Sequence, residues 1–566
     1  MAYPTHDIDG WFATLEEAFE GKLPDDHTLI RVFGGQGWRV RTMGVGLLVL
    51  ADKDFPYSKP QTFIESYDRA RPRPHIEPIP KLGDMARICL TTPTVPDNPL
   101  LAVQSAVRDA RQLLKANENG DEDDDFERDF GSYWSHYLPQ GSRAARLCGL
   151  SGTVQGTGTY FYTTNGVYYC FPDKASLKRY SRHLWGTFIR DPNQFPVVEM
   201  QRLPRPDRFP RDTEMMITAL KRYAPGGLHA VGEMLRACPK RLPVVFSGAG
   251  PDGRPFKVAV ELVVKTDRKG RPPVKAHLQS KLSDEEVIKL YETSPLDTRH
   301  LDAALTRLPV RALAAIRKKV VVVGCGALGS GIAMMLAKAG IARLVLIDPE
   351  ALDWENIRRH EVGAEYVGVA KVLALKTRLE RSLPEIEEVL AFDCSVQKAF
   401  EAHPDLLADA DLVIAATGDW ASDVFVSDAV RKREPRLPTI YTWTEAFALA
   451  THAVLLSGAK GQFTEGFDIV GSFKGKASLA DRKAPPECGD TTSPFGAVEV
   501  SQSQALAARL ALELLGGRYG GVDVWRTWTA ERSTLDDVEG RWSDYWVGSR
   551  GQPPALGGIS EGTWTF

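Results

Sequence analysis

Cysteine is scarce in this chain. There are seven in 566 residues, odd in number and widely scattered, with no Cys-x-x-Cys pair. That distribution excludes a disulfide framework, argues against a structural zinc site and fits thiols kept reduced. An excess of charge of one sign is also missing. Lys plus Arg number 70 against 73 Asp plus Glu, a formal net charge of −3, so neither the basic footprint of a nucleic-acid binder nor an acidic tail is present. No apolar run approaches the roughly 18 residues of a membrane span. The opening Met1-Ala-Tyr-Pro-Thr-His-Asp7 has neither the basic start nor the apolar core of a signal peptide. These absences lead to the expectation of a cytoplasmic protein with no nucleic-acid and no membrane partner, built from roughly two to four domains.

What is present is concentrated in residues 319–371. Lys319-Val-Val-Val-Val323 reads as a buried strand that runs into Gly324-Cys-Gly326-Ala-Leu-Gly329, and a second strand ends at Asp348. Glycines allow a tight turn and close approach to a phosphate, the helix that follows favours an anion, and the acidic residue can hold ribose hydroxyls. Alone, this pattern would fit a dinucleotide site. Asn356, Arg359 and then Val367-Gly-Val-Ala-Lys371 follow, adding an amide, a guanidinium and an ammonium. Hydride transfer has no need of so many phosphate-directed donors, whereas consumption of ATP does.

With Gly324, Gly326, Gly329, Asp348, Asn356, Arg359, Gly368 and Lys371 in order, residues 301–515 resemble the ThiF, MoeB and ubiquitin-activating superfamily of adenylating enzymes. Two departures stand out. His360 takes the place of the usual Gln, and Thr417-Gly418-Asp419 stands where the family has Thr-Asp-Asn, so the resemblance makes Asp419 the candidate magnesium ligand one position late. It implies ATP and Mg2+ as cofactors, with Arg359 and Lys371 on the phosphates.

Residues 7–138 have a different logic. Trp11, Leu15 and Phe19 share a face of an expected helix over residues 9–19. Strand-like runs are read at residues 28–33, 38–42, 45–50 and 62–65. Ala86-Arg-Ile-Cys89-Leu90 follows, and apolar spacing over residues 100–114 predicts an amphipathic helix. Helix, meander, Tyr57-Ser-Lys-Pro60, His75, Ile-Cys-Leu and helix together resemble the ubiquitin-conjugating fold, in which Cys89 would carry a thioester. The family's His-Pro-Asn is missing, since His75-Ile-Glu77 supplies no amide, and Val95-Pro-Asp-Asn-Pro99 replaces its Trp-x-Pro turn. The acidic run Asp121–Asp125 reads as a solvated loop.

The expected fold is therefore α/β and multidomain. Residues 1–145 form a ubiquitin-conjugating-like α+β domain, 146–300 a mixed α/β connector, and 301–566 a Rossmann-like ThiF adenylation domain. The connector shows a hairpin signal at Asn165-Gly166 and a strand at residues 258–264, and is read as lacking any second Gly-x-Gly-x-x-Gly and so a second adenylation half, which points to a homodimer. Cys488, in the polar loop Ala484-Pro-Pro-Glu-Cys488-Gly-Asp ahead of a helical pattern over residues 497–515, is the candidate for the first thioester. Cys148, Cys170, Cys238, Cys325 and Cys394 read as packing residues. His452 fits a buried structural role as well as a catalytic one.

The order of parts resembles bacterial fusion enzymes of anti-phage operons, including those of CBASS systems. The resemblance implies as partners a protein with a free C-terminal carboxylate, either a nucleotidyltransferase that makes cyclic oligonucleotides or a ubiquitin-like protein, and target-protein amines as acceptors. Competing readings are a sulfur-carrier adenylyltransferase without thioester relay, a nucleotide-binding scaffold and, more distantly, an NAD-dependent oxidoreductase.

Overall fold

A computed structural model describes the chain except for residues 1–27, 33–34, 53, 80–82, 91–97, 149, 151–154, 186–191, 238, 252, 254, 267–280, 301–314, 316–317, 384–385, 459–460 and 481–494. The expected helix over residues 9–19, most of the turn at residues 95–99, Cys238 and Cys488 lie outside the described residues. The chain divides into two compact units, the first holding residues 1–147, 152–173 and 191–300, the second residues 148–151, 174–190 and 301–566. Among the described residues no helix is long and apolar enough to cross a membrane.

In the first unit an antiparallel six-stranded sheet runs in the order Thr28–Val32, Gly35–Thr42, Val45–Ala51, Gln61–Ile64, Ala86–Ile88, Ile76–Pro78. The expected strands are all present, within a few residues of their predicted ends. Helix Pro99–Asn119 covers one face. It starts where the Asn98 side chain accepts the Leu101 amide and Pro99 presets the first turn, and it stops at Gly120, whose φ of 77° is the left-handed turn that glycine tolerates best. Val103, Ala106, Val107, Ala110 and Leu114 bury their side chains in one cluster with Trp38, Val40, Val49 and Ile88.

The connector is an eight-stranded mixed sheet in the order Tyr291–Pro295, Pro255–Val264, Arg241–Ala249, Asn193–Glu199, Gly156–Tyr162, Val167–Phe171, Ala144–Leu147, Asp297–His300. The Asn165-Gly166 hairpin forms as expected, with Gly166 at φ 79°. The strand Ala144–Leu147 spans the 145/146 boundary drawn from the sequence. Helix Phe130–His136 is welded to this sheet: Trp134 Nε1 donates to Leu296 O at 2.9 Å, and the Phe130 ring meets those of Phe209 and Phe256. One sequence reading needs correction. Gly248-Ala-Gly250-Pro-Asp-Gly253 repeats the Gly-x-Gly-x-x-Gly spacing inside the connector, but it joins two antiparallel strands and opens no helix, so it builds no phosphate turn.

The second unit holds the nucleotide-type fold. Its eight-stranded sheet runs Glu388–Phe392, Arg343–Ile347, Lys319–Val323, Leu412–Ala415, Thr439–Thr444, Ala450–Leu456, Val524–Thr529, Gly558–Thr563, parallel through Thr439–Thr444 and antiparallel after it. The unbroken valine run of Lys319–Val323 reflects burial on both faces. Val320 and Val322 pack with Ile332, Leu506 and Leu510 on one side, while Val321 and Val323 pack with Val426, Val430 and Trp525 on the other.

Helix Ala327–Lys338 starts against the glycine turn. A Cβ at Gly329 would lie 1.8 Å from the Gly324 carbonyl oxygen, and one at Gly331 would meet the Gln504 side chain at 2.0 Å. Gln504, from helix Ala497–Leu515, donates to Ala327 O at 2.7 Å and ties the two helices together. Gly329→Ala must therefore push the helix off the turn. The expected loss is about 1–3 kcal/mol of unfolding free energy, measured by denaturant titration, together with weaker nucleotide binding by calorimetry.

Candidate functional site

A cavity of about 610 Å³ lies along the carboxyl ends of the parallel strands of the second unit, the position at which open α/β sheets bind ligands. Gly324 and Gly326, Asp348, Pro349 and Glu350, Ser395 and Val396, Thr417 to Trp420, Asp423, and Thr442 to Thr444 all line it. Gly324 turns at φ 83°, and a side chain there would meet the Ala416 carbonyl at 2.6 Å, so the residue type is dictated twice.

Asp348 is nearly buried and holds the turn in shape. One oxygen accepts the Cys325 amide at 2.6 Å and the other accepts the Glu350 amide at 2.8 Å. Burial pushes its carboxyl above the ordinary carboxylate range, against the pull of those two amides. His360, where relatives carry Gln, supports the same loop. Its Nε2–H donates to Cys325 O at 2.7 Å, and its Nδ1 accepts the Val362 amide at 3.2 Å. Burial brings its pKa down to about 4, so the ring is neutral and the tautomer is set by these two bonds.

Asn356, Arg359 and Lys371, the residues expected on the phosphates, are not part of the cavity lining. Asn356 Oδ1 accepts the Asp353 amide at 3.1 Å, the Arg359 guanidinium sits 4.8 Å from the centre of the Phe495 ring, and the buried Lys371 ammonium pairs with Glu350. No cationic side chain lines the cavity among the described residues.

Asp419 caps helix Trp420–Arg431. Its Oδ2 accepts the Ser422 amide at 2.9 Å, and the Ser422 hydroxyl first, then that amide, hold its carboxyl below the usual range. One turn on, Asp423 is buried, accepts the Thr417 hydroxyl at 2.7 Å, and is pushed up to about 7 by burial and by the neighbouring Asp419. Two carboxylates with opposite shifts at one cavity mark a place where charge is managed. The sequence reading missed Asp423, Glu350 and the aromatic walls Trp443, Phe463 and Phe467. Only the i, i+4 spacing of Asp419 and Asp423 at a helix start could have signalled the first of these.

His452 is fully buried and bonded to Glu445 at 2.9 Å and Thr527 at 2.9 Å, while Glu445 also binds the Ala477 and Ser478 amides. Cys148, Cys170 and Cys325 are buried, as their apolar surroundings predicted. Among the described residues His229, Glu233 and Asp284 converge as a possible metal cluster. Arg236, 2.9 Å from Glu233 and 2.7 Å from Asp284, already supplies the positive charge there.

In the first unit Cys89 is exposed and directly follows strand Ala86–Ile88, its amide donating to His75 O at 2.8 Å. His75 is held at φ 57°, an uncommon conformation for a non-glycine residue, with its amide bonded to the Tyr133 hydroxyl at 2.8 Å. Tyr133 in turn donates to Asp125 Oδ2 at 2.5 Å, so the acidic run is only partly a solvated loop: Asp125 is a structural partner and Asp123 pairs with Arg205 at 2.9 Å. Partial burial, then Glu77, raise the Cys89 thiol above its ordinary pKa, with Asp129 and Asp125 adding to the effect and Arg87 opposing it.

The neutral, loop-bracing His360 generates a test of stability. A histidine held below its unfolded value of about 6.5 gives full stabilisation above that pH and loses it as pH falls toward 4, because only the unfolded chain takes up the proton. Urea unfolding should show the wild-type chain losing about 1–3 kcal/mol more than His360→Gln across that window. Parallel pH profiles for the two proteins would refute the assignment.

Residues 302–476 match the ThiF family, and residues 18–141 match the Prokaryotic E2 family B. An "ATP-dependent ubiquitin transferase-like protein Cap2" of Enterobacter hormaechei subsp. hoffmannii (strain UCI 50) is 34% identical over 128 residues, which are 20% of this chain and 21% of that protein. A "Sulfur carrier protein ThiS adenylyltransferase" of Bacillus subtilis (strain 168) is 27% identical over 127 residues, 22% of this chain and 36% of that one. The crystal structure of E. coli MccB with ATP aligns at 17% identity and a TM-score of 0.29, covering 47% of this chain and 69% of that one. The matched stretches thus span only 21% and 36% of the two curated relatives. This chain joins a prokaryotic E2 family B domain, residues 18–141, to a ThiF-family domain, residues 302–476, in one polypeptide.

Proposed function

We propose that the chain is an ATP-dependent enzyme that activates the C-terminal carboxylate of a partner protein and conjugates it to an amine. The observation that carries this reading is the pairing, in one chain, of a glycine-turn cavity lined by Asp348 and Asp419 with an exposed strand-end thiol, Cys89, in an E2-type domain. A carboxylate oxygen of the partner attacks the α-phosphorus of ATP, the bond to the β-phosphate oxygen breaks, and pyrophosphate leaves. Arg359, over the Phe495 ring, and Lys371, paired with Glu350, would exchange those partners for phosphate oxygens. Asp419, ionised and at the cavity wall, fits a magnesium ligand, and the ion would draw charge off the phosphates.

Cys488 then attacks the acyl carbonyl as thiolate, AMP departs with the bonding electrons, and Cys89 displaces Cys488 to carry the second thioester. An amine finally attacks that carbonyl, loses its proton, and the Cys89 thiolate leaves. Glu77, Asp125 and Asp129 beside Cys89 favour a cationic amine acceptor such as a lysine, at the cost of a less acidic thiol. The match of one stretch, residues 302–476, to the ThiF family supports a homodimer as the arrangement that supplies two such folds. The Cap2-named relatives support a nucleotidyltransferase of an anti-phage CBASS system as the activated partner, with a ubiquitin-like protein as the second choice. A sulfur-carrier-type reaction without relay is the other reading, favoured by the similarity to the ThiS adenylyltransferase.

Co-expression with candidate partners, followed by non-reducing intact-mass measurement, tests the scheme. A thiol-labile adduct should vanish in Cys488→Ala and shift wholly onto Cys488 in Cys89→Ala. Lys371→Ala should lower partner-dependent ATP–pyrophosphate exchange by about 100-fold or more, as loss of a charge-stabilising group does elsewhere. Full conjugation by Cys89→Ala would end the two-thiol scheme. The acidic surroundings of Cys89 give a separate expectation: at pH 7, Glu77→Gln and Asp129→Asn should each speed its alkylation by iodoacetamide, because removing a nearby anion lowers the thiol pKa.

A further inference from the structure

The cavity is longer than its nucleotide-type end requires, and its two ends differ in chemistry. Strand order sets the geometry. Ser395, Asp348 and the glycine turn follow three adjacent strands, whereas Thr442 to Thr444 belong to Thr439–Thr444, two strands beyond Lys319–Val323 on the opposite side. At about 4.8 Å per strand, that places them about 10 Å from the glycine turn. A nucleotide with its phosphates at the turn and its ribose on Asp348 extends away from Thr442.

The far end is walled by Trp420, Trp443, Phe463 and Phe467, with ring centres 4.6 Å apart for Trp420 and Phe467 and 5.6 Å for Trp443 and Phe467. Gly471 lines the same end and belongs to a turn that Asp468 stabilises by accepting the Val470 and Ser472 amides at 2.9 and 2.8 Å. That turn lifts Ile469 and Val470, 104% and 77% exposed, beside the cavity mouth. Adjacent exposed aliphatics at a cavity rim are a signature of binding rather than of packing. The ionisable groups at this end are Asp419 and Asp423, so an acidic side chain is disfavoured.

We propose that this far end binds the last residue of the activated protein, and that the protein's C-terminal tail is apolar rather than a Gly-Gly sequence. The final side chain would occupy the aromatic walls, and Ile469 and Val470 would cover the apolar residues just upstream. Glycine would leave the walls uncovered. The inference rests on the adenylation reading and specifies its substrate class.

The test uses full-length protein, ATP and synthetic octapeptides with free C-terminal carboxylates, randomised at the last four positions, with acyl-adenylates trapped as hydroxamates. Leu, Ile, Met or Phe should be enriched at the final position by about tenfold over Gly, the scale of discrimination an apolar pocket achieves. Phe467→Ala, and separately the exposed double variant Ile469→Asp with Val470→Asp, should raise the peptide KM by about fivefold to tenfold, with the Kd for ATP unchanged. Enrichment of Gly-Gly, no selectivity at the last position, or a weakened ATP Kd in Phe467→Ala would overturn the inference while leaving adenylation standing. Intact ATP binding with no hydroxamate from any peptide would sink the adenylation reading itself.

Discussion

The contact between Gly329 and the Gly324 carbonyl, 1.8 Å from any Cβ at residue 329, is the constraint around which the second unit is built. It lets helix Ala327–Lys338 begin directly on the end of strand Lys319–Val323, so that the helix N-terminus opens into the cavity. Asp348 completes the arrangement by accepting the Cys325 amide, which fixes the turn relative to the neighbouring strand. His360 does the same from a third segment, through the Cys325 carbonyl. A single residue, Cys325, is thereby held at both its amide and its carbonyl, and its own buried side chain serves only to pack.

Charge is distributed around this frame by burial and by pairing. Lys371 and Arg359 are engaged by Glu350 and Phe495, one step from where phosphates would lie, while the cavity wall itself carries carboxylates. Asp419 and Asp423 share a helix start yet move in opposite directions, because the first meets the Ser422 hydroxyl and amide at the surface and the second is buried beside a like charge. Around Cys89 the balance is different again. Acidic neighbours raise the thiol and favour a positively charged visitor, an environment suited to handing an acyl group to an amine more than to generating a thiolate unaided.

Much of the site was legible because phosphate chemistry leaves short, ordered motifs. Gly324, Gly326, Asp348 and Asp419 line the cavity, whereas Gly329, Asn356, Arg359 and Lys371 do not, and Cys89 is exposed at a strand end. The amphipathic helix over Pro99–Asn119 and the Asn165-Gly166 hairpin were equally readable, since both follow from local periodicity and turn chemistry. The reading went astray in finding no second glycine motif: Gly248 to Gly253 repeats the spacing, but it joins two antiparallel strands, and glycines without a strand-to-helix step carry no information about phosphate. The acidic run was read as solvated because nothing local shows that Tyr133 and Arg205 reach it.

The amino-acid order by itself determined the glycine turn, the acidic strand end, the buried parallel strands and the candidate thiols, because each depends on neighbours within a few residues of chain. Only the tertiary structure decided that Trp420, Trp443, Phe463 and Phe467 share one wall, and that Asp423 is forced toward neutrality. It also set helix Phe130–His136 onto the connector sheet, through a tryptophan bond to a carbonyl 162 residues away in sequence. These features arise from burial and from side chains brought together across strands, and burial is a property of the whole packed unit that no local run of residues contains.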